Sequence, residues 1–220
     1  MNETKRLVLA SGSKRRRDLI AALDTEVEIV PPEGENDTRF PGEPPGSFVI
    51  RLAKTKARDV APSVGPAIVI GADTTVVLDD DILNKPQSNT EAVSMLERLR
   101  GREHRVVTGV AVMDSESGLW LASAVTTKVR MRRYKDTEIA AYVLTGEPFD
   151  KAGAYAIQDE TFRPVESIEG CYLNVVGFPL YEVEYLLNGI GVEVSVKKGW
   201  SHPQMCGACR EARRQGLGKR

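Results

Sequence analysis

Four cations in a row, Lys14, Arg15, Arg16 and Arg17, follow a Ser-Gly-Ser turn at residues 11–13 and open a helix-like segment. A helix N-terminus already presents free backbone N–H groups and a partial positive charge, so it attracts anions. Cations gathered there oppose the helix dipole, and a phosphorylated ligand would resolve the conflict. Asp73 lies just past an apolar run, in Gly71-Ala72-Asp73-Thr74, and in an open α/β sheet ligands bind beyond the carboxyl ends of strands. The Ser-Gly-Ser loop follows another such run, so the two sites could converge on one ligand. Glu35 sits in an acidic loop with Glu33 and Asp37. Paired with Asp73 it could hold a divalent cation through hard oxygen ligands, as phosphate chemistry with Mg²⁺ requires. Lys56 and Lys85 carry point charges that suit a polyphosphate, whereas Lys54 falls about half a helical turn from Lys56 and is expected to be solvated. Gln158 follows the apolar run AGAYAI, and its amide, donor and acceptor at once, fits the edge of a nucleobase.

Alternating strand and helix signals position these residues and argue for an α/β architecture. Leu7–Ala10 reads as a strand, and Ser13 caps a helix to about Leu23. A second strand covers residues 27–30. Residues 40–46 hold three Pro and two Gly and read as a loop. Ser47 then caps a helix to about Val60. Residues 67–70 form an apolar strand ending at Gly71. Residues 88–101 give the clearest helix: Ser88 and Glu91 form a capping box, and Ala92, Met95, Leu96 and Leu99 recur on one face. Residues 105–113 and 122–131 read as strands, and residues 137–145 and 179–188 as helices, the latter with Pro179 at its first position and Gly189 closing it.

Bulk properties set the frame. The 220 residues carry 41% hydrophobic and 28% charged side chains, ordinary for a globular chain. The net charge of −1 does not call for nucleic acid. It hides an asymmetry, because residues 197–220 hold seven Lys or Arg against one acid. That segment lacks apolar periodicity, so residues 1–196 are read as the domain and residues 197–220 as a basic, mobile tail. The tail has few aromatics to stack on bases, which argues against a nucleic-acid partner. Apolar runs are too short for a membrane span, and no secretory leader is evident. Three cysteines are too few for a disulfide framework, and Cys206 and Cys209 with His202 make only a weak metal motif. A cytoplasmic chain is expected. There is no GxxxxGK[ST] loop and no GxSxG elbow, which argues against a P-loop NTPase and a serine hydrolase.

The run ASGSKRRRDLI resembles the N-terminal signature of the Maf family of nucleotide pyrophosphatases, with Lys14 at the family's usual proline position. Residues 69–86 (VIGADTTVVLDDDILNKP), 95–112, 150–158 (DKAGAYAIQ) and 175–180 (VVGFPL) are similar to further blocks of that family, in order. Together they span about residues 5–190. The resemblance implies a mixed twisted sheet with flanking helices and a cleft between two lobes, similar to inosine-triphosphate pyrophosphatases. It implies Asp73 as proton acceptor and as a metal ligand with Glu35, for Mg²⁺ or Mn²⁺. It implies substrate binding by Ser11, Ser13, Arg15, Arg16, Lys56, Thr74, Lys85 and Gln158. Among these, Arg15, Thr74 and Gln158 match positions linked to base choice and look like the subgroup acting on dTTP and UTP. The subgroup acting on 7-methyl-GTP is the alternative within the family. A non-catalytic nucleotide-binding regulator of cell division is the alternative outside catalysis. A homodimer remains open.

Overall fold

The computed structural model describes residues 5–34 and 38–200. Seven strands form one mixed sheet: β1 (Leu7–Ala10), β2 (Glu28–Ile29), β3 (Ile68–Leu78), β4 (Asp81–Leu83), β5 (Glu103–Asp114), β6 (Trp120–Met131) and β7 (Val165–Glu169). Their order is β2-β1-β3-β5-β6-β7, with β4 added to β3. β1 runs parallel to β2 and β3, and every other pairing is antiparallel. Among the described residues six α-helices flank the sheet: α1 (Lys14–Ile20), α2 (Pro45–Val64), α3 (Asn89–Leu99), α4 (Asp136–Leu144), α5 (Tyr172–Val176) and α6 (Leu180–Gly189). No helix among the described residues is long and apolar enough to cross a membrane.

Side chains alternate across a strand, and β3 sorts its residues accordingly. Val69 and Val77 pack under α2, with Val60 and Ala57 at one end and Phe48, Val49 and Leu52 at the other. Ile68, Ile70 and Ala72 face the opposite layer, where α1, α5 and α6 cover them. Val76 joins a separate cluster with α3 and α4. Two apolar clusters therefore share one face of the sheet, and the cleft opens between them. Glycine brings α2 close. A Cβ at Gly71 would stand 2.0 Å from the Ala53 carbonyl oxygen, and one at Gly109 would stand 2.4 Å from Val49 backbone atoms.

Several expected boundaries move. Ser13 does cap α1, its hydroxyl accepting from the Arg16 N–H at 3.5 Å. The helix closes at Ile20, because Leu23 leaves it to bridge Val196. α2 starts at Pro45, two residues before Ser47, since a proline costs nothing at a first helical position. Ser88 caps α3, but the Glu91 carboxylate accepts from the Gln87 N–H rather than closing the box on Ser88. The largest change concerns β3. It does not stop at Gly71, because β5 pairs with it from Ile68 to Val77 and carries Gly-Ala-Asp-Thr as extended chain. The strand end that opens the site is that of β1.

Candidate functional site

β1 pairs with β3 only as far as Gly71, and β4 takes up the same flank only at Val76. Ala72 to Thr75 thus lack a strand neighbour on that side. The Arg16 guanidinium enters this gap, donating to the Ala72 carbonyl at 2.8 Å, the Gly177 carbonyl at 3.0 Å and the Thr74 hydroxyl at 3.2 Å. An arginine suits the place because its planar fork satisfies several oxygens at once.

A cavity of about 700 Å³ lies beyond the end of β1, within the roughly 300–1,000 Å³ of small-molecule sites. Ser11, Ser13, Arg15, Arg16, Lys56, Asp73, Thr74 and Lys85 all line it. Residues far apart in sequence are thus gathered around one cavity. Asp73 faces α2, where Lys56 donates to its Oδ1 at 2.6 Å, and both side chains are about one-tenth exposed. Thr74 lies on the other face of β3, and the cavity reaches both faces by wrapping around the open strand flank. Lys54 leaves the site, its ammonium lying 5.8 Å from the centre of the Trp120 ring.

One implied residue is not brought in. Gln158 is exposed in a turn and is absent from the cavity lining; the apolar run before it ends in Ile157, which packs against the core. Glu35 lies outside the described residues, as do His202, Cys206 and Cys209. Lys197 and Trp200, counted with the tail, contact the domain. The Lys197 N–H donates to the Ala22 carbonyl at 2.9 Å, and Trp200 packs against the cluster under α1 and α6.

Other residues of the site were not singled out from sequence. Asp150 and Lys151 line the cavity within the block DKAGAYAIQ. The Lys151 ammonium is buried and donates to the Glu147 carbonyl at 2.5 Å, the Glu147 carboxylate at 2.9 Å and Asp150 Oδ1 at 2.6 Å. Arg15 donates to the Asp150 carbonyl at 3.3 Å. Burial opposes ionisation of Asp150, but the Lys151 hydrogen bond and the nearby Arg15 charge outweigh it and hold the carboxyl below its usual range. Tyr155 forms an apolar wall, and its hydroxyl meets His104 Nε2 at 2.7 Å. Burial pushes His104 down to about 4, so its imidazole is neutral at ordinary pH. An Asp-Lys pair beside a Gly, ahead of an apolar run, was the signal available for this turn.

The lining carboxylates, Asp73 and Asp150, are hard oxygen donors. Among the described residues no three His, Cys, Asp or Glu stand close enough to hold a metal unaided. That donor set fits Mg²⁺, which commonly takes one or two carboxylates and fills its shell with water and substrate phosphate.

Known proteins resemble this chain over most of its length. The family profile described as Maf-like protein matches residues 6–190. The dTTP/UTP pyrophosphatase of Dictyoglomus thermophilum is 44% identical over 187 residues, covering 85% of this chain and 97% of its own. That of Geobacter sulfurreducens is 46% identical over 189 residues, covering 86% and 98%. A solved nucleoside-triphosphatase, a dITP/XTP pyrophosphatase from Mycobacterium abscessus, superposes with a TM-score of 0.41 at 17% identity, over 59% of this chain and 75% of its own.

Proposed function

We propose, because this chain belongs to the Maf-like protein family, that it hydrolyses dTTP and UTP between the α and β phosphates to give the monophosphate and pyrophosphate. The observation that carries the reading is the cavity itself. A buried carboxylate, Asp73, stands among Arg15, Lys56 and Lys85 in a space sized for a nucleotide. Relatives at 44–46% identity that bear the name dTTP/UTP pyrophosphatase support the substrate.

In this reading Asp73 accepts the proton of the attacking water, and Lys56 fixes the carboxylate by holding one oxygen. Lys85, with Arg16 and Lys56, faces the phosphates as preorganised charge. Arg16 holds the open flank of β3 beside the substrate, while Ser11 and Ser13 line the loop around it. Asp73, with Glu35, would hold Mg²⁺ or Mn²⁺, which when bound neutralises phosphate charge. Arg15 and Thr74 contact the base from the lining, and Gln158 is assigned to the base edge on resemblance alone. The reaction belongs in the cytoplasm, without membrane or nucleic-acid partners, and sedimentation would test for a homodimer.

The test is chromatography of the products from a panel of nucleoside triphosphates, with and without Mg²⁺. Monophosphate and pyrophosphate, fastest from dTTP and UTP, are expected. Diphosphate with orthophosphate would overturn the cleavage site, and 7-methyl-GTP as the best substrate would overturn the base assignment.

A further inference from the structure

Behind Thr74 runs a chain of buried polar contacts that leaves the cavity altogether. Its hydroxyl stands 2.9 Å from the hydroxyl of Thr108, a residue on β5 with no exposed surface. Thr108 in turn lies 3.2 Å from the backbone carbonyl of Asn174 on α5. Asn174 is also fully buried, and its amide nitrogen donates to the Val106 carbonyl at 3.1 Å and to Thr127 at 2.9 Å. A five-residue helix has little stability of its own, so these bonds seat α5. The end of α5 matters to the site, because Val175, Val176 and Gly177 line the cavity and Gly177 accepts from Arg16.

The contacts also fix where the hydroxyl hydrogens go. A backbone carbonyl only accepts, and each threonine has one hydrogen to give. If Thr108 donates to Asn174, then Thr74 must donate to Thr108. In the other arrangement Thr108 donates to Thr74, and Thr74 donates to the Gly177 carbonyl at 3.3 Å. That would leave Thr108 and the Asn174 carbonyl facing each other with lone pairs in a fully buried place. The first arrangement leaves only the Thr74–Gly177 oxygen contact, and the Arg16 guanidinium donates to both of those oxygens. The first arrangement is therefore favoured. Arg16 already fills one lone pair of Thr74, so the first arrangement leaves it a second lone pair, whereas in the other Arg16 and Thr108 fill both.

We infer that Thr108 is a positioning residue for substrate: seated by Asn174, it takes the hydrogen of Thr74 and leaves that hydroxyl as a hydrogen-bond acceptor toward the cavity. The ligand group it fits is a ring N–H, such as the N3–H of uracil or thymine. This rests on the assignment of Thr74 to the base side of the site. An unpaired polar group in a closed site costs enough for roughly tenfold discrimination or more.

The experiment is calorimetric binding of UMP and of 3-methyl-UMP, which lacks that N–H, to the full chain and to variants, beside kcat and KM for UTP. The expected result is UMP binding at least ~10-fold tighter than 3-methyl-UMP in the unmodified protein. Thr108→Val should shrink that ratio to within ~3-fold and raise KM more than it lowers kcat, and Thr108→Ser should restore both. The double variant Thr74→Val with Thr108→Val should be no worse than Thr74→Val alone. A ratio that persists in Thr74→Val would make the methyl effect steric and overturn the inference. Unaltered KM and ratio in folded Thr108→Val, multiplying effects in the double variant, or no binding of either nucleotide would overturn it too. Should UTP not be cleaved while the binding ratios hold, the proposed reaction fails and this inference stands.

Discussion

Lys56 on α2 donates to Asp73 on β3 across the interface between helix and sheet, at 2.6 Å and with little solvent access. The contact ties the proposed base to the packing of one helix. It also explains how the strand carries a buried carboxylate, since a charge so placed needs a partner. Function at this site is therefore sensitive both to the pair and to whatever sets the height of α2 above the sheet.

Asp73→Asn keeps the volume and a polar contact to Lys56 but removes the base and a negative charge. Turnover is expected to fall by about 10²-fold or more, the usual worth of general-base catalysis, with the unfolding transition still cooperative. Steady-state rates on dTTP with circular dichroism check this. Near-normal turnover would move the role elsewhere, with Glu35 first in line.

Gly109 pairs with Asp73 in the β3–β5 ladder, and α2 passes directly over it. Gly109→Ala would place a methyl group against the Val49 backbone, which cannot swing away as a side chain can. A loss of about 3 kcal/mol in urea unfolding is expected, the upper part of the overpacking range. A fall in kcat should accompany it, because Lys56 rides on the same helix. Unchanged stability would mean that α2 shifts freely, and the tie between helix height and site geometry would be lost.

The buried imidazole of His104 predicts an acid-labile window. The unfolded chain takes up a proton on this residue near its ordinary value of 6.5, whereas the folded chain resists until about 4 because of burial. Between those values the unfolded state binds more protons, so stability falls as pH drops through the window and is fully present above it. The contribution amounts to about 3 kcal/mol at most. His104→Phe should flatten the dependence between pH 6.5 and 4 in denaturant titrations; a slope identical to that of the unmodified protein would place its origin elsewhere.

Removing residues 201–220 is expected to leave kcat, KM and thermal midpoint unchanged. Cutting at Val196 should lower the midpoint, because Lys197 bonds to the end of α1 and Trp200 packs on the core, yet still leave kcat within about twofold. An unchanged midpoint on the first cut and a lowered one on the second would place the boundary of the working domain after Trp200. Loss of turnover on removing residues 201–220, together with one bound zinc, would make Cys206 and Cys209 functional.

Much of the site was legible because its chemistry is local. The cations after the Ser-Gly-Ser turn, the Asp-Thr pair after an apolar run, and Lys56 at helical spacing each carry their signal within a few residues. Legibility failed where a role depends on a partner far along the chain. Thr108 reads as one more β-branched residue in a strand, and only the approach of Thr74 and of α5 gives it a task. His104 in sequence is a histidine in a strand, and Tyr155 is what gives it a place behind the cavity wall.

By itself the sequence determined the alternation of strands and helices, most of the groups that could meet a phosphate, and the family. The elements follow from periodicity and capping and the candidate groups from residue chemistry, which act over one or two turns of chain; the family follows from the resemblance of whole motif blocks. The tertiary structure decided that β3 continues through Asp73, because only the β5 ladder could make that polar stretch a strand. It decided that Arg16 holds an open strand flank, and that Asp73 and Thr74 stand on opposite faces of the sheet yet line one cavity. The cause is common to all three. Pairing and burial are relations between distant segments, and their energies are set by what each residue meets, not by what it is.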